Sequence, residues 1–150
     1  MIMNREEVYK QLKIDEGVKY EIYLDHLGYP TFGIGHFIKE TDEEFKQPVG
    51  TTISEDRVRE CFDRDLDTAI NECGHLYGAG EFGEFLPEVQ QVLVNMMFNM
   101  GRPRLSGFKK FNRAIGVSDW KEAAKEGRDS RWYRQVTNRA ERLMTRLEKI

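Results

Sequence analysis

The sequence predicts an α+β fold, with a small N-terminal antiparallel sheet lobe joined by a long helix to a mainly helical C-terminal lobe. Residues 18–38 are rich in β-branched and aromatic side chains and are interrupted by one turn. From residue 54 onwards, apolar residues recur every three or four positions. A chain of 150 residues is of the usual size for one domain. We therefore expect one domain spanning 1–150, with a sheet lobe over about 14–55 and a helical lobe over about 1–13 and 56–150.

The N-terminal elements follow from local signals. Asn4 and Glu7 have the spacing of a capping box, and Gly17 offers a left-handed stop, so a first helix is predicted over about residues 5–16. A hairpin follows, with its turn at residues 25–30. A polar connection then leads to a long helix that begins at Thr52 or Ser54 and ends near Gly74.

The C-terminal half is predicted to form a series of helices. Glycines 78, 80 and 83 indicate a loop, after which Pro87 begins a densely apolar helix that Gly101 ends. The width of its apolar surface predicts the central helix of a bundle. Shorter helices are predicted over about residues 108–115, 119–126, 130–135 and 138–149.

Composition excludes several classes of protein. Hydrophobic residues make up 39% of the chain and aromatic residues 11%, too many for a disordered protein. The longest apolar runs are a few residues, far short of the roughly 20 that cross a bilayer. The N-terminus turns acidic at once and lacks the apolar segment of a signal peptide. We expect a folded chain with no membrane span and no signal peptide of its own.

The charge is unevenly divided along the chain. Residues 1–88 hold 9 Lys and Arg against 20 Asp and Glu, whereas residues 89–150 hold 14 against 6, which gives net charges of −11 and +8. A basic lobe attracts polyanions by long-range steering. Ordinary solvated helix faces explain the same charges equally well.

The sequence lacks the motifs of several common kinds of active site. The three histidines, His26, His36 and His75, are scattered and do not have zinc-ligand spacing. No nucleotide-binding glycine motif and no nucleophile elbow occurs. We therefore expect neither a metal nor a cofactor.

Two acids and a hydroxyl remain as candidates for catalysis. Glu16 ends the first helix, where the helix dipole and apolar neighbours favour a protonated acid. Asp25 lies in a polar turn that favours the ionised form, and Thr31 follows just after this turn. Among 26 acids, a Glu and an Asp nine residues apart are more often solvated surface residues. The residue types alone leave both interpretations open.

The order of the motifs resembles that of the phage-type lysozymes, bacteriophage endolysins that cleave peptidoglycan. The motifs are IDEG at 14–17, YLD at 23–25, GYPTFGIGH at 28–36, FDRDLD at 62–67, NMMFNMG at 95–101, SRWY at 130–133 and NRA at 138–140. Together they extend along most of the chain, and several ordered motifs at family-like separations are highly specific.

The resemblance implies a role for individual residues. Glu16 matches the general acid, Asp25 the carboxylate beside the sugar, and Thr31 the hydroxyl that helps to position the attacking water. Arg139 matches an arginine that orients the acid, although a surface arginine fits the same pattern. Further matches are the sugar-binding positions Phe37, Phe98 and Asn99, of which Phe98 also fits a core position, and a structural ion pair of His36 and Asp65.

The implied function is that of a bacteriolytic endolysin with a lysozyme-like fold. Such a muramidase hydrolyses the β-1,4 bond between N-acetylmuramic acid and N-acetylglucosamine, with inversion and without a cofactor. The implied partner is bacterial peptidoglycan, and the implied state is a monomer. The enzyme would be made in the host cytoplasm and reach the wall after release through a membrane lesion made by another protein.

Two other functions compete with this one. A virion- or tail-associated module could use the same fold to bind or penetrate the wall. A nucleic-acid-binding domain could use the +8 half, but its basic residues are spread over several short helices without a recognised motif, so we expect no nucleic-acid partner.

Overall fold

The computed structural model describes residues 3–150, and over this range it contains eight helices and one three-stranded sheet. The predicted α+β class is therefore confirmed. The chain divides into two compact units, which are described separately below. One is Arg5–Asp67, and the other is Thr68–Ile150 together with Met3 and Asn4.

The first unit contains the sheet. Helix α1 spans Arg5–Glu16, as predicted, and three antiparallel strands follow in the order β1-β2-β3. These strands are β1 (Lys19–Leu24), β2 (Pro30–Gly33) and β3 (His36–Phe37). A connection without a helix or strand leads to α2 (Glu55–Tyr77), where the Ser54 hydroxyl accepts a hydrogen bond from the backbone N–H of Arg57 at 3.1 Å. The sequence thus predicted the start of α2 correctly.

Helix α2 belongs to both units, and its N-terminal part packs against α1. The rings of Tyr9 and Phe62 meet edge to face, with 5.0 Å between their centroids. The Arg59 guanidinium lies 3.9 Å from the centroid of Tyr9 and donates a hydrogen bond to Glu6 at 2.9 Å. This unit buries the apolar side chains of Val8, Leu12, Ile22, Phe32, Ile34, Ile38, Ile53, Val58, Phe62 and Leu66.

The second unit is helical throughout. Its remaining helices are α3 (Ala79–Glu84), α4 (Pro87–Ser106), α5 (Lys109–Gly116), α6 (Trp120–Arg128), α7 (Arg131–Gln135) and α8 (Thr137–Glu148). Helix α4 is buried along most of its length, which agrees with its prediction as a central helix; Val89, Val92, Leu93 and Met96 are fully buried. Across the described residues, every helix is too short or too polar to span a bilayer.

One prediction about this unit was wrong. The glycine-containing stretch 78–83 is not a loop, because Ala79–Glu84 is helical. Tertiary contacts override the low helix propensity of glycine, since the buried Gln90 side-chain amide donates to the carbonyls of Phe82 and Gly83 at 3.0 and 3.3 Å. Gly101 ends the first segment of α4, as predicted, because its φ and ψ of 77° and 164° are not helical; a second helical segment follows this kink and reaches Ser106.

The close approach of β2 to α2 yields a prediction. A Cβ atom at Gly33 would lie 3.1 Å from a methyl carbon of Val58, and Gly33 has a φ of +64°. The G33A substitution should therefore lower the free energy of unfolding by about 2–4 kcal/mol, from backbone strain and overpacking together. Urea denaturation measures this change.

Gly50 provides the matched control. Its φ is +94°, but a Cβ there would meet nothing within 4 Å, so G50A introduces strain without a steric clash. We expect G50A to cost about 1–2 kcal/mol. Equal losses for the two variants would show that β2 does not press on Val58.

Candidate active site

The strand register places three side chains in a line across the sheet. Tyr23 lies opposite Thr31 in the β1–β2 pair, and Thr31 lies opposite Phe37 in the β2–β3 pair. Residues directly opposite each other in antiparallel strands project from the same face. We call Tyr23, Thr31 and Phe37 the cross-strand row. The other face carries Phe32 and His36, which are also opposite each other and are buried.

Asp25 closes the turn that brings β1 and β2 together. Its Oδ1 atom accepts hydrogen bonds from the backbone N–H groups of Leu27 and Tyr29 at 2.9 and 2.8 Å. The backbone N–H of Asp25 itself donates to the carbonyl of Tyr29 at 2.9 Å. Within residues 3–150, Oδ2 accepts no hydrogen bond, so one oxygen of this carboxylate holds the turn while the other stays open to a ligand.

Thr31 occupies the middle of the cross-strand row and is 4% exposed. Its hydroxyl donates a hydrogen bond to the carbonyl of Tyr29 at 2.9 Å. This bond uses the single proton of the hydroxyl and leaves its oxygen as an acceptor. A water molecule could therefore donate to Thr31, which suits a group that orients water rather than one that attacks.

Glu16 is the last residue of α1, as the sequence predicted, and is partly exposed. The turn between β2 and β3 comes close to its carboxylate, because a Cβ atom at Gly35 would lie 3.7 Å from Oε2. A side chain at Gly35 would therefore contact this oxygen.

Both acids influence the ionisation of Tyr23 in the cross-strand row. Burial raises the pKa of the Tyr23 hydroxyl, and the negative charges of Asp25 and Glu16 raise it further. Both carboxylates therefore act on the same phenol, although they come from different elements. In this unit, the charges of Glu16 and Asp25 thus both act at the Tyr23 end of the row.

Phe37 forms the other end of the row and is 47% exposed. Its ring meets that of Tyr29 edge to face, with 5.5 Å between the centroids. An exposed aromatic ring beside Thr31 offers an apolar surface to a sugar.

His36 connects the sheet to two acidic residues. Its Nδ1 atom lies 2.7 Å from Oδ2 of Asp65 on α2, and its Nε2 atom lies 2.9 Å from Oδ2 of Asp42 in the connection after β3. Burial opposes the charged imidazolium, but the hydrogen bonds and charges of Asp65 and Asp42 outweigh it, so the pKa of His36 is raised. The Arg57 guanidinium binds Glu44 in the same connection through two bonds of 2.7 and 2.9 Å.

The remaining candidate residues lie in the second unit. Arg139 is 8% exposed, and its guanidinium donates to the side-chain and backbone oxygens of Asn95 at 2.8 and 3.3 Å. The side-chain oxygen of Asn99 accepts a 2.7 Å hydrogen bond from the indole N–H of the buried Trp132, so the amide of Asn99 has a fixed orientation. Phe98 is partly exposed. The roles predicted for Arg139, Phe98 and Asn99 stay predictions.

Comparison with known proteins identifies the family. The phage lysozyme family model matches residues 13–149. The chain is 30% identical to the probable T4-type lysozyme 1 of Dictyostelium discoideum, over 91% of both chains. It is 31% identical to the pre-baseplate central spike protein Gp5 of Enterobacteria phage T4, over 89% of this chain and 26% of Gp5, and thus spans about a quarter of that relative. It is 32% identical to the peptidoglycan hydrolase gp36 of Pseudomonas phage phiKMV, over 92% of this chain and 15% of gp36. The chain belongs to the phage lysozyme family.

Sequence reasoning missed two residues of this region. Asp42, the second partner of His36, lies in the polar connection 39–52, where no periodicity points to a single acid. Tyr23 could have been found, because it precedes Asp25 by two residues in a predicted strand, and this spacing indicates a shared face.

The His36 cluster predicts how stability depends on pH. A raised pKa means that the folded protein holds the proton more tightly than the unfolded chain. The resulting stabilisation is fully present below the unfolded pKa of about 6.5 and is lost as pH rises through the higher folded pKa. The unfolding free energy of wild type should therefore fall across this range by more than that of H36Q, as measured by urea denaturation at pH 5.5 and 9.

The D42N variant tests the contribution of the second acid. It removes one of the two carboxylates that raise the pKa of His36 in the folded protein, so the fall in stability should be smaller and should end at a lower pH than in wild type. Superimposable pH profiles for wild type and H36Q would contradict the ion-pair account.

Proposed function

We propose that this protein is a muramidase that hydrolyses the β-1,4 glycosidic bond between N-acetylmuramic acid and N-acetylglucosamine in bacterial peptidoglycan, with inversion. Family membership supports lysozyme-type glycoside hydrolase activity. The observation that carries the finer proposal is the grouping of Glu16, Asp25 and Thr31 around Tyr23. A carboxyl, a carboxylate and a neutral hydroxyl are the groups that an inverting glycosidase requires.

Glu16 is the proposed general acid. It protonates the leaving glycosidic oxygen as the bond to the anomeric carbon breaks. Its position at the C-terminal end of α1 supports this role, because a side chain at the end of a helix has its place fixed by the backbone. The side-chain-free position Gly35 beside Oε2 leaves room for a sugar.

Asp25 and Thr31 are proposed to position the attacking water. Oδ2 of Asp25 and the hydroxyl oxygen of Thr31 are both acceptors, so one water can donate its two protons to them while a lone pair of its oxygen attacks the anomeric carbon. Asp25 takes up the proton that the water loses. Thr31 is too weak a nucleophile to compete with this water.

The remaining assignments follow the family pattern. We propose that Arg139 orients the acid, and that Phe37, Phe98 and Asn99 contact the sugars. The exposed ring of Phe37 and the fixed amide of Asn99 support sugar contacts. His36 and Asp65 are proposed to stabilise the fold rather than to react, since both ring nitrogens of His36 already have carboxylate partners.

The biological setting is proposed on the same basis. The partner is bacterial peptidoglycan, the protein acts as a monomer, and it reaches the wall through a membrane lesion made by another protein. A virion-associated module that penetrates the wall is the second candidate. It is favoured by the similarity to a central spike protein, which this chain matches over only part of that protein's length.

The test of the acid is E16Q. A neutral amide keeps the shape of the side chain but cannot donate a proton to the leaving oxygen, so turnover should fall by about 10²- to 10⁴-fold. The measurement is the loss of turbidity of outer-membrane-permeabilised cells, with urea denaturation as the check that the fold is retained.

The matched control is E21Q, which neutralises an exposed acid in β1. We expect this variant to lyse cells at close to the wild-type rate. Near-normal lysis by E16Q would refute the assignment of the acid.

Stereochemistry tests the roles of Asp25 and Thr31. If they hold a water on the face opposite Glu16, the first product has the anomeric configuration opposite to that of the substrate. Proton NMR of the product before mutarotation distinguishes the outcomes. Retention would mean that Asp25 attacks the sugar itself.

A further inference from the structure

The Tyr23 hydroxyl has no hydrogen-bond partner within residues 3–150, although the side chain is partly buried. Within the described residues this hydroxyl is not one of the buried polar atoms that lack a partner, so it keeps contact with solvent and can donate to a ligand. The structural role of Tyr23 as a strand residue opposite Thr31 does not use this hydroxyl.

The surroundings of Tyr23 keep its hydroxyl protonated, so that it can donate a hydrogen bond. Burial, with the charges of Asp25 and Glu16, raises its pKa, so the phenol keeps its proton over the whole range in which the enzyme works. Two nearby carboxylates also disfavour an anionic ligand at this point. The group that Tyr23 suits is therefore an uncharged acceptor.

The ring is held in place by a neighbour on the same strand. Nζ of Lys19 lies 4.3 Å from the centroid of the Tyr23 ring, which is the geometry of a cation–π contact. A hydroxyl on a fixed ring points in a fixed direction, so little conformational entropy is lost when it binds a ligand.

We propose that Tyr23 is a substrate-binding residue, whose hydroxyl donates a hydrogen bond to an uncharged oxygen of an acetamido sugar bound along the cross-strand row. The hydroxyl and the N-acetyl carbonyl of such a sugar are neutral acceptors, and Thr31 and Phe37 continue the row beyond Tyr23. This inference rests on the proposed function and adds a binding residue to it.

The test is Y23F, which removes the hydroxyl and keeps the ring over which Lys19 lies. On a soluble tetrasaccharide of alternating N-acetylglucosamine and N-acetylmuramic acid, we expect KM to rise about 3- to 10-fold. This is the change expected when one neutral hydrogen bond to the substrate is lost. We expect kcat to stay within about twofold, and the pH profile of kcat and the urea midpoint to match wild type, because neither carboxylate is changed.

Y20F is the matched control. Tyr20 lies in the same strand and is 37% exposed, so loss of its hydroxyl should leave KM unchanged. To measure binding without turnover, the dissociation constant of the tetrasaccharide is determined by calorimetry for E16Q and for E16Q/Y23F. The double variant should bind 3- to 10-fold more weakly.

Each alternative outcome has a distinct meaning. An unchanged KM and dissociation constant for Y23F, with wild type active, would overturn this inference and leave the proposed function intact. An unchanged KM with a shifted pH profile would also overturn it, since Tyr23 would then act through Glu16 or Asp25. A wild type that neither binds nor cleaves the tetrasaccharide would overturn the proposed function and this inference with it.

Discussion

The sheet depends on the Asp25 carboxylate. The backbone N–H groups of Leu27 and Tyr29 in the turn both donate to its Oδ1 atom. These two bonds hold β1 and β2 in one register. A slip of one residue between two strands would move every side chain of the slipped strand to the opposite face. The same residue therefore fixes the register that places Tyr23 opposite Thr31.

The two faces of the sheet carry different kinds of residue. One face carries the apolar residues Ile22 and Phe32 and the ion-paired His36, all of them buried. The other carries the cross-strand row, which consists of one hydroxyl and two aromatic rings. Because successive residues of a strand alternate between faces, Thr31 has the core residue Phe32 as its neighbour. The packing of Phe32 holds Thr31 in position. Burial on the opposite face of the sheet therefore fixes where the Thr31 side chain lies.

The His36 cluster shows what the connection after β3 contributes. Asp42 and Glu44 lie in a segment without helix or strand, yet both are nearly buried and bind His36 and Arg57. A buried charge is costly unless it is paired and hydrogen-bonded. Each of these acids meets that condition through the cation opposite it. Charge thus anchors the connection to β3 and α2, in addition to the burial of Ile38 and Ile53 at its two ends.

Much of this architecture could be predicted from sequence, because its signals are local. The bounds of α1 follow from Asn4 and Gly17, and the hairpin follows from its polar turn. Helix α3 could not be predicted, because it depends on the amide of Gln90, several residues further along the chain. Asp42 was missed for the same reason, since only the folded chain brings it to His36. Glu16, Asp25 and Thr31 emerged from resemblance, because two acids nine residues apart are by themselves an ordinary feature of an acidic sequence.

The central claim is that a glycan is cleaved where Glu16, Asp25 and Thr31 meet. The most direct test is a crystal structure of E16Q with a bound tetrasaccharide of alternating N-acetylglucosamine and N-acetylmuramic acid. The account predicts that the amide of residue 16 lies within hydrogen-bond distance of a glycosidic oxygen. It also predicts a water held by Asp25 and Thr31 on the opposite face of that sugar. A glycan bound away from the cross-strand row, or with Asp25 rather than a water against the anomeric carbon, would contradict it.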